Sequence, residues 1–372
     1  MSVTVSPFSP GGLTLTLVLG PAEADGVARA REVRIASSRP TGFSAMLLAG
    51  RPMGDVPGMV GRLHSLCGRA HAVASEAAIA AASGGDANGV VAARFDGLVA
   101  ERLGEHLRST FAGPGPVGLA VDGEVLAEVR AVLASARALD AGAAGAAAAM
   151  QRVRDGVHRL GLGIDRRGRF RARPRSWAAA MLVRVGPATG DQFLPIDRLT
   201  AADDRAVVTA LAADPAGFAA RPQLAGRRPE TGPAARRTAG PGVVDGRARL
   251  TARLAEIAEA AHLLAAPASD KARMAADWVT AASVGPAMGY AAVESPRGRL
   301  HHLVRLDDDG RVAAYAILAP TEWNFHADGP LTATLGANRW GGTEDGARAE
   351  RIAALFDPCV GFEVAFEEYG DA

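Results

Sequence analysis

The sequence predicts a mostly helical α+β fold in a single domain over 1–372, a helical body flanked by an N-terminal and a C-terminal β-hairpin. Three observations carry this. Hydrophobic residues make up 48% and charged residues 22% of the 372 positions, material for a sizeable core. Aromatics are only 5% while glycine occurs 44 times and alanine is abundant, a composition suited to closely packed helices. Period-two alternation, the mark of a half-buried strand, is clearest near the two chain ends.

The first strand reads GLTLTLVL at 12–19, with Leu13, Leu15, Leu17 and Leu19 on one face. GPAEADG follows as a turn, and VARAREVRIAS resumes the alternation through Val33 and Ile35, giving a hairpin. A loop with Pro40, Gly42, Gly50 and Gly54 leads to a predicted helix from about Val60 to Ala82, stopped by Gly84-Gly85. Further helices are predicted over 90–112 and 117–160, the second interrupted by glycine. The segment 212–245, rich in Pro, Gly, Ala and Arg, reads as a linker or mobile loop. Helices from about Arg247 to Leu264 and Asp270 to Ser283 come next. RLHHLVRL and RVAAYAILA, joined by an Asp-Gly turn at Asp309-Gly310, form the C-terminal hairpin. A short helix over Ala347–Phe356 leads to Asp357-Pro358-Cys359.

Composition also excludes functions. With 41 basic and 40 acidic residues the formal charge is +1, against a protein held by nucleic-acid phosphates. The basic tract DRRGRFRARPR at 165–175 has little aromatic interleaving and reads as a solvated loop. No stretch is long and apolar enough for a membrane helix, and MSVTVSPFSP lacks the pattern of a signal peptide, so a cytoplasmic location is expected. The two cysteines, Cys67 and Cys359, cannot build a disulfide framework and read as free thiols or metal ligands.

The chemistry-bearing residues lie in four places. His64, Cys67 and His71, at offsets of three and four, would share a helical face, and imidazole and thiolate suit zinc, iron, nickel or copper. The alternative is a buried free cysteine beside two hydrogen-bonded histidines. Cys359 follows Asp357-Pro358, where the proline should hold Asp357 extended. Glu294-Ser-Pro-Arg297-Gly298 precedes the C-terminal hairpin and Ala319-Pro320-Thr321-Glu322-Trp323-Asn324 follows it. Arg297 offers several donors to an anion and Thr321 a hydroxyl; turn chemistry with a packed tryptophan is the plainer reading of both.

Together these residues resemble the large subunit of nickel–iron hydrogenases. Arg62, His64, Cys67 and His71 fall on that family's RxCGxCxxxH motif, with His64 in place of the first cysteine and Ser65 in place of the glycine. PTGFSAMLLAGRPMGDVP is similar to its FRGFE…GRDPRDAP segment. ESPRGRLHHLVRLDDDGRVAAYAILAPTEWN is similar, over about thirty residues in register, to its E(A/T)PRGxLxH…PTxWN stretch. Asp357, Pro358 and Cys359 fall on DPCxxCxxH, whose second cysteine is Phe362 here and whose histidine is Ala365. The family's N-terminal Glu-Gly-His element is missing, the middle of the chain at about 85–285 has no counterpart motif, and the chain is shorter than catalytic large subunits.

The resemblance implies a hydrogenase-like fold and a pocket for an iron carrying cyanide and carbon monoxide. Arg297, Pro320 and Thr321 would surround the diatomic ligands, and Cys67 and Cys359, with His64, would be the metal ligands. A four-thiolate nickel site cannot form, so there is no complete nickel site and hydrogen turnover is not expected. The pattern is similar to hydrogenase expression/formation proteins and implies a non-catalytic maturation factor that holds or protects an Fe(CN)2CO unit transiently. Its partners would be hydrogenase large or small subunits and other maturation proteins, with no nucleic acid or membrane. A metal-free docking protein for hydrogenase subunits, and a structural Cys2His2 zinc site from His64, Cys67, His71 and Cys359, are the other readings. A cysteine at a helix start would be easier to deprotonate for metal ligation, and the two chain ends must converge to bring Cys67 to Cys359.

Overall fold

A computed structural model of the chain describes residues 11–39, 42–111, 121–140, 145–185, 190–238, 240 and 242–369. Strand β1 (Gly12–Leu19) and strand β2 (Ala28–Ser37) form the N-terminal hairpin. Leu13, Leu15 and Leu17 are buried while Thr14 faces solvent, as the alternation requires. Helices α1 (Phe43–Leu48), α2 (Val56–Leu63), α3 (Gly68–Ser83) and α4 (Ala87–Phe111) follow. Then come α5 (Gly123–Asp140) and α6 (Ala146–Arg159). The predicted helix over 117–160 is thus two helices; its first residues, with MSVTVSPFSP and Pro40, lie outside the described residues.

The helix expected over Val60–Ala82 is broken between Leu63 and Gly68. The residues of the break, His64 to Cys67, let α2 turn back on α3, and Gly61 and Gly68 are the contact: a Cβ on Gly68 would strike the Gly61 carbonyl. Helix α3 then runs beneath a sheet, because a run of alanines gives it a flat, small-residue face.

Strands β3 (Leu162–Ile164) and β4 (Phe170–Ala172) make a small hairpin from the basic tract. Asp165 ties its turn, accepting from the Arg167 and Arg169 amides at 2.9 and 3.0 Å, and the arginines remain solvated. Helix α7 (Trp177–Arg184), strand β5 (Asp197–Arg198) and helix α8 (Asp204–Ala213) come next.

The segment 212–245 is not a linker. It contains α9 (Pro215–Ala220), strand β6 (Pro229–Glu230), which pairs with β5, and α10 (Pro233–Arg237). Its arginines and polar groups are fixed by buried partners that composition does not reveal. Arg236 donates to both Glu256 oxygens at 2.8 Å, Glu230 accepts from Arg249 at 2.8 Å, and the Thr231 hydroxyl accepts from the Arg299 amide at 2.7 Å.

Helix α11 (Gly246–Leu264) is the central helix, buried along most of its length. Helix α12 (Ala268–Trp278) ends earlier than the expected Ser283, because Val279 and Thr280 begin strand β7 (Val279–Gly285), which pairs with β8 (Met288–Ser295). Strands β9 (Gly298–Leu306) and β10 (Val312–Leu318) are the expected C-terminal hairpin, here two strands of a four-stranded antiparallel sheet ordered β10-β9-β8-β7. The sheet lies on α3 so closely that a Cβ on Gly289 would land on the α3 backbone at Ala78, Ala81 and Ala82.

After β10 come α13 (Pro320–Asn324), α14 (Pro330–Ala337), strand β11 (Arg339–Trp340), α15 (Asp345–Leu355) and strand β12 (Gly361–Glu368). Strand β12 pairs in parallel with β1, Gly12 opposite Gly361 through Leu19 opposite Glu368, in a sheet ordered β11-β2-β1-β12. The two ends of the chain therefore converge, as the cysteine motifs require. Among the described residues no helix is long and apolar enough to cross a membrane.

Candidate site between the two cysteine motifs

Cys67 caps the N-terminus of α3, and Cys359 lies in the turn between α15 and β12. The β1–β12 pairing holds the second turn, and α3 under the β7–β10 sheet holds the first. Both thiols are free and half-buried. They are electrostatically coupled to each other and to the same guanidinium groups, Arg297 and Arg39.

Cys359 is held by Thr321. The Thr321 hydroxyl donates to the Cys359 sulfur at 3.0 Å, and the Cys359 amide reaches back to the same oxygen at 3.4 Å. Pro320 starts α13 and fixes its first turn, where proline needs no amide partner. Both Pro320 and Thr321 are buried.

Arg297 sits at the β8–β9 turn and is buried. Gly298 makes this turn possible: its φ is 136°, and a Cβ there would lie 2.5 Å from the Thr231 side chain. Arg297 donates to Glu105 at 3.0 Å. Burial opposes its charge, but Asp357, Glu105 and the two thiols outweigh burial and keep it firmly cationic. Asp357 is not extended as its place before proline predicts. Its φ is 54°, in the left-handed region that aspartate tolerates better than most residues. That backbone turns its carboxylate inward, 3.8 Å from Arg253 and 4.0 Å from His106. Burial raises the Asp357 carboxyl, yet Arg253, Arg297 and His106 hold it below the usual carboxylate range.

The position of Cys67 at a helix start does not ease its ionisation. Enclosure pushes the thiol well up, Glu101 and Cys359 push it further, and Arg297 only partly compensates. Beyond burial, the largest cause, Glu101 on α4 already occupies the helix terminus. Its carboxylate accepts from the Arg69 and Ala70 amides at 2.6 and 2.9 Å, occupying the donors that would stabilise a thiolate. Burial raises Glu101 itself to about 8, against those two bonds.

His64 and His71 do share a neighbourhood, but across the α2–α3 break rather than on one helix. Their rings stack at 3.6 Å and 7°. His71 Nδ1 is 2.9 Å from His302 Nε2, and His302 Nδ1 is 2.7 Å from the Tyr315 hydroxyl. Burial, then the Arg39 charge, lowers His64 to about 4, so it is a neutral imidazole at neutral pH. Its Nε2 is buried without a hydrogen-bond partner among the described residues. His71 reaches His302 through Nδ1, leaving only its Nε2 for any metal. Among the described residues no three or more His, Cys, Asp or Glu side chains are grouped to hold a metal ion. The two thiols and the unpartnered His64 nitrogen therefore do not make a complete donor set for a bare metal ion among the described residues.

Sequence reasoning missed Glu101, Glu105, Arg39 and Glu322. Glu101 and Glu105 stand four residues apart on α4 and share a face, a spacing too common in exposed helices to single out. Behind the site Glu294 accepts from Arg236 and Arg299, each at 2.9 Å, so the glutamate of the Glu-Ser-Pro-Arg-Gly motif anchors the β8–β9 turn from below.

The chain is similar to known proteins along most of its length. Residues 242–364 match the family model described as nickel-dependent hydrogenase. The hydrogenase expression/formation protein HupK of Bradyrhizobium diazoefficiens is 38% identical over 346 residues, covering 88% of this chain and 90% of that protein. HupK of Rhizobium leguminosarum bv. viciae is 37% identical over 360 residues, covering 93% of this chain and 95% of its own. The reduced, active Ni-Fe-Se hydrogenase of Desulfomicrobium baculatum aligns with a TM-score of 0.61 over 91% of this chain and 95% of its own at 14% identity, which establishes a shared fold. With that fold, and with two relatives above a third identical over nearly their whole length, the chain belongs to the family of HupK hydrogenase expression/formation proteins.

Proposed function

We propose that this chain is an accessory factor in nickel–iron hydrogenase maturation. It holds an Fe(CN)2CO unit, as cargo, between Cys67 and Cys359 and passes it on. The observation that carries the reading is the 3.0 Å hydrogen bond from Thr321 to the Cys359 sulfur, with the buried Arg297 charge acting on both thiols. Two thiolates with three diatomic ligands leave low-spin iron one position short of six, which His64 Nε2 is free to approach.

The chain's own groups supply binding and release. Thr321 steadies Cys359, Arg297 supplies positive charge over the iron side, and Pro320 gives the diatomic ligands an apolar wall. Cys67 holds its proton tightly, so ligation releases a proton and binding weakens as pH falls. That weakness suits a carrier that must surrender its cargo. Nickel chemistry and hydrogen turnover do not belong to this reading, because His64 and Phe362 stand where two thiolates are required. Partners of this reading are the hydrogenase subunits and other maturation proteins.

Infrared spectroscopy and metal analysis of protein purified without air from cells making hydrogenase test it. Cyanide and carbonyl bands with iron, lost in Cys67→Ser and Cys359→Ser, support the carrier. No bands, with normal maturation in the double serine variant, would replace it with a metal-free docking protein.

A further inference from the structure

Arg39 follows β2, and no sequence motif points to it. Its side chain is only 16% exposed, and it pairs with Glu322, whose side chain is 13% exposed. Glu322 is the residue after Thr321 on α13, so this ion pair is anchored to the turn that holds the Cys359 sulfur.

The pair is incomplete. One guanidinium nitrogen of Arg39 donates to Glu322 Oε1. Glu322 Oε2 is buried with no hydrogen-bond partner among the described residues. A bidentate fork, the usual geometry of a purely structural arginine–carboxylate pair, is therefore absent. The remaining guanidinium N–H groups of Arg39 make no other hydrogen bond among the described residues, and the Arg39 charge acts on both thiols and on His64.

The charge of the cargo explains what such a group is for. An iron(II) with two cyanides and carbon monoxide is neutral, and two thiolates leave the bound unit with two negative charges. A buried dianion needs paired positive charge. Arg297 is already engaged by Glu105 and Asp357. Among the described residues Arg39 faces one carboxylate, that of Glu322.

We propose that Arg39 is a second anion-binding residue of the site, held in place by Glu322 and directing its free N–H donors at the anionic ligands of the iron cargo. The ligand class is a cyanide-bearing metal anion. This rests on the carrier reading, and two measurements separate the one from the other.

The first uses the full chain without cargo. Thiol alkylation by anionic iodoacetate is compared with alkylation by neutral iodoacetamide at one pH, followed at Cys67 and Cys359 by mass spectrometry. Thiolate reactivity affects both reagents and cancels in the ratio, leaving local charge. Arg39→Gln is expected to lower the iodoacetate preference about three- to tenfold, with Arg39→Lys retaining most of it. An unchanged ratio in Arg39→Gln overturns the proposal, including the case where the variant melts lower, since Arg39 is then only a structural partner of Glu322.

The second reads the infrared bands of anaerobically purified protein. Reduced occupancy or shifted cyanide bands in Arg39→Gln, restored by Arg39→Lys, support Arg39 as a cargo contact. Wild-type bands in Arg39→Gln overturn it. If the wild-type chain carries no bands, the carrier reading fails, and the cargo role of Arg39 falls with it even where the alkylation ratio responds.

Discussion

The Thr321 hydroxyl donates to the Cys359 sulfur at 3.0 Å and accepts from the Cys359 amide at 3.4 Å, so one side chain sets both the position and the environment of that thiol. Thr321→Val keeps the shape and removes the hydroxyl. A hydrogen bond to a charged acceptor contributes about 1.5–3 kcal/mol, so iron occupancy after purification should fall about tenfold or more. Thr321→Ser should restore it. Equal occupancy in the valine variant would show that the bond does not bear on the cargo.

Glu101 ties α4 to the start of α3 and carries a raised carboxyl, up to about 8 through burial. The folded state therefore holds this proton at pH values where the unfolded chain has lost it. Stability falls as pH rises from the usual carboxylate range, about 4.3, to about 8, and is flat beyond. Glu101→Gln removes that slope and should gain stability over wild type near pH 8 but not near pH 5. The gain should be ~1–4 kcal/mol, because each tenfold difference in proton affinity between the folded and unfolded chain is worth about 1.4 kcal/mol. Urea titrations of both proteins across that range provide the check; parallel curves would contradict it.

Asp204 accepts from Arg299 Nε at 2.6 Å and lies 3.0 Å from His301 Nε2, with all three side chains buried. Burial alone would raise its carboxyl, but Arg299 and His301 hold it below the usual value. A depressed carboxyl contributes stability above the unfolded pKa, about 3.9, and loses it as pH falls through the lower folded value. Asp204→Ala leaves buried Arg299 ion-paired with Glu294 alone and should cost about 3–5 kcal/mol at neutral pH, a difference that shrinks as pH falls below the unfolded carboxyl value, about 3.9. Denaturant midpoints at neutral pH and in that acid range measure both effects.

Gly289 lets β8 lie directly on α3, whereas a Cβ on Gly285 would meet only Met288 at 4.0 Å. Gly289→Ala should cost about 1–3 kcal/mol or more, because the obstacle is backbone and cannot swing aside. Gly285→Ala should change stability far less. Since α3 carries Cys67, the Gly289 variant should also retain less iron; a melting temperature equal to that of Gly285→Ala would refute the packing argument.

The chain ends are the legible part of this sequence. Strict alternation in GLTLTLVL and the Asp-Gly turn before RVAAYAILA each depend on neighbours close in sequence, and the structure has both at the expected position. What is not legible depends on distant partners. The segment 212–245 looks like a linker until Glu256 and Asn324 are seen to take up Arg236 and Thr231. The break at His64–Cys67 follows from Gly61 meeting Gly68 across a helix crossing, and neither glycine interrupts the helical pattern on its own. Asp357 departs from the proline rule because the buried Arg253 and Arg297 guanidinium groups, with His106, favour its inward turn. Strand β12 does carry a period-two pattern, Phe362, Val364 and Phe366 against Glu363 and Glu367, which sequence reasoning missed, and its parallel partner β1 lies far away in the sequence.

The parallel pairing of β1 with β12 also orders events in time. A contact spanning nearly the whole chain is among the slowest to form, because the long loop it closes must first be gathered. During synthesis Cys67 emerges long before Cys359, so the two thiols cannot share one site until the later turn has been made. A chain lacking Gly361–Glu368 would leave the turn that carries Cys359 without the β1 partner that holds it in place.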